Sequence, residues 1–165
     1  LLAGLAHPEQ AATMTRYWPL LAPALAEAST ALGVDLILDA GRLSQAGAAM
    51  PALGTADRVL LVTRTHLPAL HVLRAWLPAV RAALADPARL GLLLIGEGQP
   101  YRAAEVSRTL GVPVAGVLPE DPDPAAAYHR GTGHPRRSEF ARGLAVLVRD
   151  LSPAPAVATA AAGGL

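Results

Sequence analysis

Four short stretches of this chain are almost continuously apolar, and nothing else limits its fold so sharply. They are "VDLILDA" (Val34–Ala40), "DRVLLVTR" (Asp57–Arg64), "LGLLLIG" (Leu90–Gly96) and "VPVAGVL" (Val112–Leu118). A strand with one face in water alternates apolar and polar residues, whereas a strand covered on both faces does not. Strands of the second kind belong to parallel sheets, whose neighbours are joined by crossovers, usually helical. Helical patterns fall where such crossovers are needed. Leu20, Leu21, Leu25, Ala28 and Leu32 share one face between Met14 and Leu32, with Gly33 as the expected stop. Leu67, Leu70, Leu73, Leu77, Val80 and Leu84 do so from His66 to Ala85, with Thr65 as the expected N-cap. A short helix is expected over Tyr101–Leu110, closed by Gly111, and a last one over Ser138–Leu151. "LLAGLA" (Leu1–Ala6) reads as one more short strand. Alternating strands and helices predict an α/β fold, a doubly wound and mostly parallel sheet with helices on both faces.

Composition narrows the setting. Apolar residues make up 52% of the 165, so a core can form, but aromatics are only 4%, so Leu, Val, Ala and Ile must build it. One domain is expected over residues 1–151, followed by an Ala/Pro-rich tail, 152–165, that reads as disordered. The net charge is +1 and the basic residues are scattered, which gives no nucleic-acid surface. No apolar run reaches the ~18 residues of a membrane span. No cysteine is present, so disulfides and thiolate metal sites are excluded. The chain starts at Leu1 without the charged region of a signal peptide, and reads as one entered partway through a cytoplasmic domain whose N-terminal part is missing. All 14 basic residues are arginine. With abundant Ala, Gly and Pro, this composition points to a high-GC bacterial genome. It also denies these residues any lysine-dependent phosphate site.

In an open parallel sheet, ligands bind beyond the carboxyl ends of the strands. Those ends are Asp39-Ala40-Gly41, Thr63-Arg64-Thr65, Gly96-Glu97-Gly98 and Pro119-Glu120-Asp121. Other constellations carry less. "GEGQPY" (Gly96–Tyr101) lacks the third glycine of a dinucleotide loop. No pair of the five histidines has the spacing of a metal site, and no serine has a nucleophile-elbow context. Arg130, Arg136 and Arg137 form the densest basic group, read as a solvated loop before the last helix.

The order of the strand ends resembles that of the MinD/ParA family of deviant-Walker, SIMIBI-class P-loop ATPases, including its CpaE/TadZ-like branch. "GVDLILDAG" resembles the family's acidic strand, and "TADRVLLVTRTHLPALHVLRAWL" the strand and helix that follow. "LGVPVAGVLPEDPDPAAAYHRG" resembles its terminal strand and proline-acid loop, and "SEFARGLAVLVRDL" its last helix. The likeness covers about residues 30 to 151, the C-terminal two-thirds of such a domain. It implies ATP and Mg2+ as cofactors. Asp39 would be the catalytic Walker B acid that orders magnesium. Gly41 would let the backbone approach the terminal phosphate and act as a switch. Pro119, Glu120 and Asp121 would lie beside the adenine. The implied function is ATP-dependent homodimerisation that positions a chromosome, a septum or a pilus or secretion apparatus, with protein partners of that system.

The sequence also departs from the family. The phosphate-cradling G-x-x-x-x-G-K-[ST] loop and every lysine are absent, and Gly96-Glu97 stands where an asparagine is usual. As it stands, the chain is not expected to hydrolyse ATP. Two readings follow: an ATPase whose phosphate loop lies upstream, or a non-catalytic scaffold or localisation domain of the same fold that has lost nucleotide. A receiver-type domain is ruled out by the missing lysine.

Overall fold

The computed structural model describes residues 14–43, 49–132 and 138–152, with only the backbone of Ala125 and Tyr128. At its centre lie three parallel strands in chain order: β1 (Val59–Arg64), β2 (Leu90–Ile95) and β3 (Val114–Leu118). β1 and β2 pair in register from Val59↔Leu90 to Arg64↔Ile95. The β2–β3 ladder carries a shift between Leu92 and Leu93 before it resumes at Leu93↔Gly116.

The apolar runs explain the layering. On β2 the side chains alternate sides, and both sides are buried. Leu90, Leu92 and Leu94 join Val59 and Leu61 of β1 in one core, against Leu73, Leu77 and Val80 of helix α3 (Leu67–Ala83). Val106 and Leu110 of helix α4 (Ala103–Leu110) complete that core. Leu93 faces the other way, with Leu118, onto Leu147 of the last helix, here α6 (Glu139–Leu151). Helices therefore cover both faces, as the unbroken apolar pattern requires. Gly116 lets α6 come close, because a Cβ there would stand 2.7 Å from Leu147 Cδ1. Over β1 that second face is bare, and Val62 is 62% exposed.

The remaining elements are peripheral. Helix α1 (Trp18–Leu32) begins with Pro19 in its first turn and ends at Gly33, whose φ of 62° is the left-handed stop expected there. It packs on the short helix α2 (Met50–Leu53) through Trp18, Ala22, Ala49 and Ala52. Helix α5 (Pro122–Arg130) was not legible as a helix, although Pro122 at its start is well tolerated. Arg130 ends this helix instead of lying in a loop, and Arg136 and Arg137 fall outside the described residues.

Two expectations need correction. Val34–Ala40 is not a buried strand: it has no ladder partner among the described residues, and Val34, Leu36, Ile37 and Leu38 are 52%, 48%, 94% and 41% exposed. An apolar run states a preference for burial, but a strand forms only where it pairs with a neighbour, and among the described residues the sheet is β1-β2-β3 with nothing paired to the outer edge of β1. The N-cap of α3 is His66 rather than Thr65: His66 Nδ1 accepts the Ala69 N–H at 3.3 Å, while the Thr65 hydroxyl is engaged elsewhere. The expected strand Leu1–Ala6 and the tail 153–165 lie outside the described residues. No helix among the described residues is long and apolar enough to cross a membrane.

Core burial makes a direct prediction. Leu94→Ala, at a site with 0% exposure, should cost about 2–5 kcal/mol in urea unfolding. Ile37→Ser should change stability by less than about 0.5 kcal/mol. Equal losses would place Val34–Ala40 inside a core.

Candidate functional site

Parallel pairing in chain order gathers the carboxyl ends of β1, β2 and β3 along one rim. Thr65, just after β1, is 1% exposed and ties two of these ends together. Its hydroxyl donates to the Gly96 carbonyl at 2.6 Å and accepts the Gln99 N–H at 3.3 Å. Both capacities of the hydroxyl are thereby used. Gly96 N–H donates to the Leu118 carbonyl at 2.9 Å, which extends the ladder to β3. Gly96 has a φ of 73°, a left-handed conformation that glycine adopts without strain.

The charged groups of the rim are engaged with one another. Arg64 Nε lies 2.9 Å from Glu120 Oε1, an ion pair that joins the ends of β1 and β3 past the end of β2. The Glu120 side chain rests on Gly96, where an added Cβ would stand 3.3 Å from both Glu120 Cβ and Oε2. Glu97, the acid in the usual place of an amide, has a structural task. Its Oε1 accepts the Ala103 N–H at 2.9 Å at the start of α4, where acids are favoured. Pro119 and Asp121 make a tight turn, with the Asp121 N–H on the Pro119 carbonyl at 3.1 Å. An open depression of ≈ 360 Å³ beside the rim is lined by Val62, Thr63, Arg64, His66, Ala69 and Ile95. Another, of ≈ 200 Å³, lies at the opposite, amino ends of the strands around Arg58, Gly91 and Pro113. Ligands of open α/β sheets bind at carboxyl ends, so the first is the relevant one.

Asp39 and Gly41 bond with each other. Asp39 Oδ1 accepts the Gly41 N–H at 2.9 Å in a local turn, and Gly41 has a φ of 71°. No ion pair among the described residues engages Asp39, and no hydrogen bond links it to the Thr63 or Pro119 ends. Of the residues named from sequence, Glu120 is joined to the β1 end by this ion pair, while Asp39 and Gly41 are bonded to each other. Thr65 and Arg64 were named only as part of a strand end, with no specific contact foreseen. A buried threonine directly after an apolar strand was the available signal, but it was read as a cap.

The chemistry of the donors decides what could be held. Asp39 is an exposed carboxylate, a hard oxygen donor suited to Mg2+. No cluster of three acidic or histidine side chains accompanies it among the described residues. A triphosphate needs a backbone cradle and a cation on its far side, and these 165 residues contain neither a Gly-rich loop with lysine nor any lysine. One metal donor fits, and the phosphate site does not.

The cell division ATPase MinD of Pyrococcus furiosus superposes with a TM-score of 0.60 at 23% identity, over 80% of this chain and 57% of that one. The fold is MinD-like. The septum site-determining protein MinD of Pyrococcus horikoshii OT3, complexed with Mg-ADP, gives a TM-score of 0.62 at 22% identity, over 81% of this chain and 56% of that one. No family model and no curated protein matches. The chain thus spans little more than half the length of each MinD structure. The shared property is an α/β architecture, with helices on both faces of a parallel sheet.

The Thr65 tie is testable. Thr65→Val removes a buried hydroxyl and strands the Gly96 carbonyl and the Gln99 N–H. It should lower the unfolding free energy by about 1–3 kcal/mol, with Thr65→Ser retaining most of it. By contrast, Glu120→Ala breaks an exposed pair and should cost about 0–1 kcal/mol in the same denaturant titration.

Proposed function

We propose that these residues form the C-terminal part of a MinD-like ATPase, of the deviant-Walker kind and its CpaE/TadZ-like branch. The protein would position a septum, a chromosome or a pilus or secretion apparatus through ATP-dependent homodimerisation. The observation that carries this reading is the MinD-like fold over four-fifths of the chain, one of the similar structures being complexed with Mg-ADP. Asp39 is the residue that would hold magnesium, and Gly41 the point at which the following loop would change conformation. The Pro119–Asp121 turn would flank the base. Bound magnesium would supply charge neutralisation on the phosphates. The phosphate contacts themselves must come from outside these residues.

A second reading is favoured by a specific observation. Glu97 caps α4, and the Arg64–Glu120 pair covers Gly96, so the rim is satisfied from within. That is the state expected of a scaffold or localisation domain that keeps the fold without nucleotide.

Titration of the intact protein with ATP and Mg2+ separates the two. In the ATPase reading, Asp39→Ala should weaken magnesium-dependent nucleotide binding about 10–100-fold. Equal binding and hydrolysis by parent and variant would remove the role given to Asp39. No binding by either would select the scaffold.

A further inference from the structure

We propose that Arg64 and Glu120 form a lock that closes the rim over Gly96, so that a nucleotide base enters only when this pair parts. The inference rests on the MinD-like reading, which places the base beside the Pro119–Asp121 turn. Three observations support it. First, the half-exposed Glu120 side chain lies against Gly96; its Cβ and Oε2 both lie 3.3 Å from the position a Gly96 Cβ would take, so the carboxylate covers the end of β2. Second, Arg64 Nε holds that carboxylate at 2.9 Å from the opposite flank, two strands away, so the pair spans the whole rim. Third, the floor beneath the pair is fixed. The buried Thr65 hydroxyl holds the Gly96 carbonyl at 2.6 Å, and the Gly96 N–H is bound to Leu118. With this floor fixed, the space is opened by moving the side chains above it.

The pair is suited to opening. The two side chains are 58% and 42% exposed, so either can be rehydrated at small cost. Arg64 also borders the open depression with Val62 and His66, which gives it somewhere to swing. Salt, which screens exposed pairs, favours the open form.

The test compares a ligand with a base to one without, on the intact protein. ADP and inorganic pyrophosphate are titrated into the parent, Glu120→Ala, Arg64→Ala and the charge-swapped double variant Arg64→Glu with Glu120→Arg. Glu120→Ala should bind ADP about two- to fivefold more tightly, the range an exposed ion pair can supply, with pyrophosphate unchanged. The swapped pair should return ADP binding to the parent level. A gain for ADP and pyrophosphate alike would overturn the lock, because it would show only the removal of a negative charge near an anion. Parent and Glu120→Ala binding ADP equally would also overturn it while leaving the nucleotide reading intact. Absence of ADP binding in every variant would remove both. In the parent, the Arg64 Nε–H resonance should be protected from solvent exchange at low salt and lose that protection in Glu120→Ala. An unprotected resonance in the parent would show that the pair does not persist in solution.

Discussion

β2 is the constraint on which the rest of the structure depends. Leu90–Leu94 are all buried, so this segment offers no side chain to water on either face. Its backbone must be paired on both edges, and β1 and β3 supply those pairs. Its side chains must be covered on both faces, by α3 and α4 on one and α6 on the other. Parallel pairing then places three strand ends side by side, and the polar rim is a consequence of that apolar centre.

The rim shows how a site can be shaped by what it already contains. Thr65 fixes the loop after β2, Glu97 holds the start of α4, and Glu120 lies across Gly96 toward Arg64. No buried side-chain polar atom among the described residues lacks a partner, which is the ordinary requirement of an interior. Ligands of open α/β sheets bind at this rim, and here the chain's own side chains occupy part of it.

Much of the architecture was legible because apolar runs report two-sided burial directly. "VLLV", "LLLI" and "VAGVL" became β1, β2 and β3, and Gly33, Gly111 and Ser138 marked helix ends where expected. "VDLILDA" carried the same signal and failed, since a run encodes a wish for cover but not the identity of the neighbour. The Arg64–Glu120 pair was beyond reach for a related reason. It depends on the ends of β1 and β3 flanking the end of β2, which no local pattern states. Thr65 and His66 are adjacent residues that can both accept a helix N–H, and only the position of Gly96 decides between them. The candidate site was legible as a set of strand ends, but not as a set of contacts.

The unit from Val59 to Leu118 is continuous in the chain: each strand pairs with the next one along, through one intervening α-helix, joined before β2 by a 3-10 turn at Pro87–Arg89. Each parallel pair must close its crossover before the pairing is rewarded, but no strand from elsewhere among the described residues comes between them. Helix α6 arrives later in the chain and settles against a sheet already built, fitted at Gly116. The continuous unit is thus complete in the chain before α6, and the last helix is the piece that seals its second face.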